Sequence, residues 1–248
     1  VIAHAIQYGT AESAVREINS LLVAKTAEGK SAWVRELRKL RAIVQGGTPG
    51  KVFSIAGNAK LPFATFSSLP GVTCPGAGDC LSFCYSFRGW RYAEAFCRQA
   101  QNAWLMRHRR DAIASAFNAL PKGIKVRLYV DGDFASPSDV AFWFDLLNQR
   151  PDLQAYGYSK SFAQILEHAD TGTPLPTNYL LNISSGHAHD AHTVDRVAAL
   201  PITRGTFSAV SIGRKVKASE HGTVSVNRAI RAAAGKVFPC PGKCGSCR

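Results

Sequence analysis

The central part of the chain alternates between short apolar stretches and amphipathic ones, and this alternation constrains the fold more than any other feature. "IKVRLYVDGDF" (residues 124–134) is rich in β-branched and aromatic residues and predicts a strand. "SPSDVAFWFDLLNQR" predicts a helix with Ser136 as its N-cap and Pro137 in its first turn, and "DLQAYGYSKS" predicts a second strand. A strand, a helix and a strand at this spacing form a βαβ unit with parallel strands.

The same alternation continues toward the C-terminus. "SFAQILEHA" and "DAHTVDRVAAL" predict helices, and "NYLLNISSG" and "GTFSAVSIG" predict strands. The sequence therefore predicts an α/β fold, either a parallel sheet or a partial (β/α) barrel. We expect chemistry at the carboxyl ends of its strands.

Outside this part, the patterns predict two more segments. Residues 11–45 indicate two helices broken around "EGKS", "KVFSIAG" indicates a strand, and residues 91–120 indicate one long helix or two abutting helices. We divide the chain into a helical N-terminal extension, residues 1–48, and an α/β domain with cysteine-ligated metal, residues 49–248.

Six of the seven cysteines fall into two tight groups, which are Cys74, Cys80 and Cys84 in one and Cys240, Cys244 and Cys247 in the other. An odd count without a secretion signal argues against a disulfide framework. Grouped thiols are typical of metal ligation. Only Cys244 and Cys247 have the CxxC spacing usual for zinc, and both groups begin with Cys-Pro, as at the end of the bacterial ferredoxin motif. We expect an iron-sulfur cluster, with zinc as the alternative and redox or unligated thiols as a third reading.

Other candidate ligands are weaker. Cys97 lies in a partly apolar helical stretch and is typical of a small buried hydrophobe. Three histidines, His187, His189 and His192, indicate either a metal site or a solvated loop.

Polar residues follow the predicted strands. Asp131 and Asp133 close the first strand on one face, Ser159 and Lys160 close the second, and Ser184 and Ser185 close the third. Two interpretations are open. These residues either cap turns and start helices, or they line a polar cleft beside the cysteines. On the second reading, Asp131, Asp133 and Lys160 are candidate catalytic residues.

The chain has a strong excess of positive charge, with 30 Lys and Arg against 17 Asp and Glu and a net charge of +13. Such an excess favours polyanionic partners, although a basic protein without such a partner also accounts for it. The basic residues cluster in the sequence, which favours a surface that binds nucleic acid. The candidate contacts are Arg35, Arg38, Lys39, Arg41, Arg107, Arg109, Arg110, Arg214, Lys215 and Lys217.

Four segments in order, "TCPGAGDCLSFCYS", "VRLYVDGDFAS", "QAYGYSKS" and "CPGKCGSC", resemble the gene product 88 family of phage and plasmid proteins. The resemblance covers residues 50–248, and the family looks like a reduced relative of the radical S-adenosylmethionine barrel. It implies that Cys74, Cys80 and Cys84 act together with the terminal cysteines, and that Asp133 and Lys160 lie over the site. It implies no established activity, and Val130 and Asp131 replace the small residues expected before Gly132.

The terminal group, Cys240-x3-Cys244-x2-Cys247, also has the spacing of the radical S-adenosylmethionine motif. In that superfamily the motif follows the first barrel strand and usually has an aromatic residue before its third cysteine. Here it lies at the end of the chain, and the residue is Ser246.

We therefore expect an iron-sulfur protein of a mobile genetic element that binds nucleic acid, with DNA favoured. A radical S-adenosylmethionine type of enzyme with a three-cysteine [4Fe-4S] site is one alternative, and a zinc-stapled regulatory protein that acts through protein contacts is another. The chain has no apolar run of membrane-spanning length and no signal-peptide pattern, so we expect no membrane partner and a place in the cytoplasm of a bacterial host.

Overall fold

The computed structural model describes residues 1–55 and 63–239, and one sheet of five parallel strands organises them. The strands are β1 (Ala64–Thr65), β2 (Lys125–Leu128), β3 (Gln154–Ser159), β4 (Tyr179–Ser184) and β5 (Thr203–Phe207). They pair in chain order, β1-β2-β3-β4-β5. Because crossovers between parallel strands are right-handed, this order places the connecting helices on one face of the sheet. The winding is that of part of a (β/α) barrel, so the predicted fold class is confirmed.

The α-helices of the described residues precede the sheet, connect its strands or, in one case, follow its last strand. They are α1 (Ile2–Tyr8), α2 (Ala11–Ala27), α3 (Ser31–Val44), α4 (Ala93–His108), α5 (Arg110–Asn118), α6 (Pro137–Gln149), α7 (Phe162–Asp170), α8 (Ala191–Ala198) and α9 (Val224–Ala234). Short 3-10 helices cover Asp79–Phe83, Tyr85–Arg91 and Ala218–Glu220. Helix α6 begins as predicted, since the hydroxyl of Ser136 accepts a hydrogen bond of 3.2 Å from the backbone of Asp139.

The main core lies between the sheet and its helices. Residues of β3 alternate between buried and partly exposed, with Ala155 on the buried side. Trp143 of α6 is fully buried, and its ring contacts Phe66 with a centroid distance of 4.8 Å. The indole N–H of Trp143 donates a hydrogen bond of 3.1 Å to the Tyr129 hydroxyl, which satisfies the one polar atom of this ring.

A second hydrophobic cluster joins the N-terminal helices to α4. Its members include Ile6 of α1, Ile18 of α2, Leu37 of α3 and Trp104 of α4. Helices α1 and α3 pack against α4, the helix that follows the first cysteine group, and α2 packs against α1 and α3. Burial of these apolar side chains supplies the stabilisation. The division of the chain at residue 48 stays a prediction.

Several predicted elements differ from the observed ones. Helix α1 was not predicted, whereas residues 91–120 form two abutting helices, which is one of the two arrangements predicted for them. The predicted strand "KVFSIAG" contains only a single antiparallel bridge, from Ser54 to Thr65, within its described residues. Strand β5 begins at Thr203 and ends at Phe207, so the second half of the predicted "GTFSAVSIG" strand is wrong. Serine and glycine weaken a strand, and within the described residues the ladder with β4 ends at Phe207. Beyond it, the backbone N–H of Ala209 donates to the hydroxyl of Ser185 instead.

Candidate functional site at the carboxyl ends of the strands

Strand β2 ends because Tyr129 adopts a φ of +52°, a left-handed conformation that is uncommon for a large side chain. The chain then turns toward β1, where Val130 donates a backbone hydrogen bond of 2.9 Å to Phe66. The carboxylate of Asp131 accepts a hydrogen bond of 3.0 Å from the side chain of Gln99 in α4. The prediction that Asp131 and Asp133 share one face of a strand is wrong, because the strand ends before both.

Asp133 is buried, with 5% of its surface exposed, and it joins the end of β2 to the end of β3. Its carboxylate accepts hydrogen bonds from the hydroxyl of Ser159 at 2.7 Å and from the backbone N–H groups of Lys160 at 2.7 Å and Phe134 at 2.9 Å. Burial raises the pKa of Asp133 above its ordinary value, and these hydrogen bonds oppose that rise.

Lys160 extends this network to β4. Its ammonium group donates a hydrogen bond of 2.8 Å to the hydroxyl of Ser184, the last residue of the strand. On the other side, its carbonyl oxygen lies 2.7 Å from Nε2 of His189. The carboxyl ends of β2, β3 and β4 are thus connected through Asp133 and Lys160, which the sequence predicted to lie over the site.

The loop that carries the first cysteine group packs against these strand ends. The backbone N–H groups of Gly78 and Cys80 both donate to the carbonyl of Gly186, at 3.0 and 3.2 Å. Ala188 donates a backbone hydrogen bond of 3.0 Å back to Gly76. A segment of irregular sequence is in this way held by the loop that follows β4.

Two glycines allow this close approach. A Cβ on Gly76 would lie 1.7 Å from the carbonyl oxygen of Lys160, and one on Gly186 would lie 3.0 Å from Cβ of Cys80. Gly186 also has a φ of +76°, which favours glycine. Position 76 in the Cys-Pro-Gly segment therefore requires glycine, because any side chain there would clash with the backbone of Lys160.

The three thiols of this loop lie close enough to influence one another. Burial, together with smaller contributions from the neighbouring Asp133, Cys84 and Cys80, raises the pKa of the Cys74 thiol to about 12. Burial also raises the pKa of Cys80, against the opposing effect of Lys160. The raised pKa favours the protonated thiol at Cys74 and Cys80.

The described part of the chain does not contain a complete set of metal ligands. Within it, no three His, Cys, Asp or Glu side chains converge on a point where a metal ion would be held. Cys74, Cys80, Cys84 and Cys97 are all free thiols there. The other predicted ligands, Cys240, Cys244 and Cys247, lie outside the described residues.

The histidines divide between two environments. The rings of His187 and His189 lie 5.9 Å apart and both contact Phe162, with centroid distances of 4.9 and 4.8 Å. His192 is exposed on α8. Burial lowers the pKa of His187, with His189 adding to the effect.

Cys97 belongs to the second hydrophobic cluster, in which 6% of its surface is exposed. Burial raises the pKa of its thiol to about 12. This environment is that of a small core residue, as its sequence context indicated.

Two basic residues of α3, Arg35 and Lys39, line a cavity of about 650 Å³ between α3, residues 48–51 and α4. Glu36 pairs there with Arg35 at 2.8 Å and with Lys39 at 3.1 Å. Burial raises the pKa of Glu36, but the hydrogen bonds from Arg35 and Lys39 outweigh burial and the pKa is lowered. Lys51 and Arg98 also line the cavity, so cations outnumber carboxylates around it.

The other predicted contacts make more internal bonds. Arg41 donates to Asn19 at 3.0 Å, Arg109 donates to the Gly47 carbonyl at 2.7 Å, and Arg110 pairs with Asp139 at 2.6 Å. Arg107 donates to the carbonyl of Gln7. Arg214 pairs with Glu220 at 2.9 Å, while Arg38, Lys215 and Lys217 are exposed. Among these candidate contacts, Arg38, Lys215 and Lys217 form no salt bridge within the described residues.

One feature of the site was not anticipated. The hydroxyl of Tyr85 donates a hydrogen bond of 3.0 Å to the carbonyl of Val130, so the chain after Cys84 is also tied to the turn that ends β2. The signal in the sequence is the run "YSFRGWRY" directly after Cys84, in which aromatic residues alternate with arginines.

No helix of the described residues is long and apolar enough to cross a membrane. No curated protein and no solved structure matches the chain. The sequence model of one family, gene product 88, matches residues 24–247. The match includes all of α3 and the end of α2, so it begins earlier than the resemblance at residues 50–248. Since it covers most of the chain, this protein belongs to the gene product 88 family.

Proposed function

We propose that this chain is an iron-sulfur protein of a phage or plasmid that binds nucleic acid, with its cluster between the cysteine loop and the carboxyl ends of the strands. The observation that carries the proposal is the seating of this loop, in which Gly78 and Cys80 both bond to Gly186 while Gly76 lies against Lys160. This attachment fixes the backbone from Gly76 to Cys80, and Cys74 and Cys84 lie two and four residues beyond its ends.

The donor set fits a thiolate-bound group. Three thiols within eleven residues are soft ligands, suited to iron-sulfur clusters or zinc. Their protons would be displaced on ligation, since metal binding requires the thiolate. A cluster would need further ligands or side-chain rotation, and we assign Cys240, Cys244 and Cys247 to supply the further ligands.

Ligation would stabilise the fold. The loop around Cys74 has short 3-10 helices and many exposed residues, so apolar burial contributes little to its order. Binding free energy at the cysteines would add directly to the free energy of folding.

The nucleic-acid part of the proposal rests on charge. The net charge of +13 favours phosphate contacts, and Arg35, Arg38 and Lys39 present cations on one exposed helix. We favour DNA over RNA because the family is one of phage and plasmid proteins.

Anaerobic purification with quantification of iron, acid-labile sulfide and zinc tests the cluster. We expect iron and sulfide in equal amounts, a broad visible absorbance, and loss of both in Cys84→Ser but not in the matched variant Cys97→Ser. Zinc without iron or sulfide would replace the cluster with a zinc staple. Full metal content in Cys84→Ser and Cys244→Ser would overturn the proposal of a split site.

Binding of a fluorescent duplex at several salt concentrations tests the nucleic-acid part. We expect affinity to fall steeply with salt and to fall in Arg35→Gln, Arg38→Gln and Lys39→Gln. An exposed arginine elsewhere, Arg16 on α2, gives a matched control. Affinity that does not change between low and moderate salt would contradict the proposal.

A second candidate is an enzyme of the radical S-adenosylmethionine type, favoured by the buried polar network beside the cysteines. The Lys160 ammonium lies 2.8 Å from the Ser184 hydroxyl, and Asp133 fixes the backbone of Lys160, so these residues could bind and orient a substrate. A cluster with an open iron position would supply the electron that such chemistry needs. Four thiolates per cluster and a spectrum unchanged by S-adenosylmethionine would exclude this candidate.

A further inference from the structure

The chain around and after Cys84 exposes several aromatic rings. Phe83 is 56% exposed, Tyr85 is 58% exposed and Tyr92 is 69% exposed. Large aromatic side chains are normally buried, and single exposed ones need no explanation, but three within ten residues form a patch. We call Phe83, Tyr85, Arg88, Arg91 and Tyr92 the aromatic-arginine surface.

The helical geometry aligns rings and cations on this surface. Residues 85–91 form a 3-10 helix, and side chains three residues apart eclipse one another in such a helix. Tyr85, Arg88 and Arg91 therefore stand in one row. The hydrogen bond from the Tyr85 hydroxyl to Val130 holds its ring in place while more than half of the residue stays exposed.

The two arginines of the row carry uncompensated charge. Both are exposed, and within the described residues neither pairs with a carboxylate. Arginines elsewhere in the chain do find such partners, as Arg98 does with Glu94 and Arg150 with Asp152. A free guanidinium beside an exposed ring is suited to a ligand that has both anionic groups and flat faces.

We propose that the aromatic-arginine surface binds single-stranded nucleic acid, with bases stacked on Phe83, Tyr85 and Tyr92 and phosphates held by Arg88 and Arg91. This inference rests on the proposed function and names its substrate class. Bases of a duplex are already stacked on one another, so exposed rings add affinity only for a strand whose bases are free. Charge complementarity favours this occupant over a protein partner, since the chain as a whole has a net charge of +13.

Fluorescence anisotropy with a labelled 15-nucleotide oligothymidylate and a 15-base-pair duplex tests the inference on the full, metal-loaded chain. The single strand should bind more tightly than the duplex. Tyr92→Ala and Phe83→Ala should each weaken binding of the single strand about 5- to 150-fold, the range for loss of one stacked base. Tyr92→Phe keeps the ring and should bind as the wild type does.

The arginines have their own readout. Replacement of both Arg88 and Arg91 by Gln should reduce the slope of log affinity against log salt by about 1.4, because each phosphate contact to a single strand contributes about 0.7. Arg16→Gln serves as the control for an exposed arginine elsewhere. Circular dichroism of each variant checks that it folds.

The outcomes separate the inference from the proposed function. Unchanged single-strand affinity in Tyr92→Ala and Phe83→Ala overturns the inference, and it leaves the proposed function standing if variants of α3 still weaken duplex binding. Failure to bind any nucleic acid at low salt overturns the inference together with the nucleic-acid part of the proposed function. A different outcome is that the wild type self-associates in sedimentation without binding the single strand, and that Tyr92→Ala abolishes this association. That result would assign the surface to a second copy of the chain and overturn the inference.

Discussion

The buried carboxylate of Asp133 accepts a hydrogen bond of 2.7 Å from the backbone N–H of Lys160, so a side chain that follows β2 fixes the chain at the end of β3. Lys160 in turn reaches Ser184 at the end of β4. Three neighbouring strand ends are thereby held in register at the edge of the sheet where the cysteine loop packs.

We expect Asp133→Ala to lower the free energy of unfolding by about 3 kcal/mol, because it leaves the hydroxyl of Ser159 and two backbone N–H groups without their acceptor. Asp133→Asn should cost less, since the amide retains one acceptor oxygen. Urea unfolding followed by circular dichroism measures both. Asp79 is exposed, and Asp79→Asn should stay within about 0.5 kcal/mol of the wild type. Equal stability of all three variants would show that the Asp133 network contributes nothing.

Gly76→Ala should displace the cysteine loop from the carboxyl ends of the strands. The added methyl group would lie 1.7 Å from the Lys160 carbonyl, which is backbone and cannot rotate away. We expect a loss of about 2 kcal/mol or more and a lower metal content, since overpacking forces backbone shifts. Gly89→Ala is the matched control, because its nearest neighbour would be the Gln99 side chain at 3.8 Å. Normal metal content in Gly76→Ala would contradict the assigned role of this loop.

The sheet could be predicted from the sequence because its strands and helices have clear periodicities. Helix α6, with its Ser136 cap and buried Trp143, and strand β3, with its alternating burial, both lie where local patterns placed them. The local sequence pattern did not predict elements whose conformation depends on a contact with a residue distant in sequence. Strand β1 is only two residues long and exists through pairing with β2, 62 residues later, which no local pattern encodes.

The candidate site was predictable in its residue types but not in its geometry. Asp133 and Lys160 follow adjacent strands, so their proximity follows from parallel pairing. The separation of Asp131 from Asp133 depends on the left-handed conformation of Tyr129, which its residue type disfavours. The bond from Cys80 to Gly186 joins two irregular segments more than 100 residues apart, and turn residues alone do not specify such a contact.

Glu36→Gln should reduce the dependence of stability on acid pH. Its pairing with Arg35 and Lys39 outweighs burial and lowers its pKa below the ordinary value of 4.5, so the ionised form stabilises the fold. That stabilisation is present above the pKa of the unfolded chain and is lost as pH falls through the lower folded value. The wild type should therefore lose more stability than Glu36→Gln between about pH 5 and pH 3, as measured by urea unfolding. Parallel curves would rule out the ionic effect.

The same variant should bind nucleic acid more tightly. Removal of the Glu36 charge releases Arg35 and Lys39 from their carboxylate partner and makes the surface of α3 more positive. Duplex affinity at low salt should rise, and the gain should shrink as salt increases. Glu28→Gln, which removes a carboxylate paired with Lys25 outside the basic cluster of α3, is the control. A lower affinity for Glu36→Gln would mean that α3 does not contact the phosphates.

Cys97→Ala should retain the metal. Its thiol is buried in the second hydrophobic cluster, so we expect only the loss of packing around one small side chain, about 1 kcal/mol in urea unfolding. Burial raises the pKa of this thiol to about 12, so it should also resist alkylation in the folded wild type at neutral pH. Iron and sulfide should match the wild type, while Cys84→Ser should lose both. Metal loss in Cys97→Ala at unchanged circular dichroism would make Cys97 a ligand and contradict its assignment to the core.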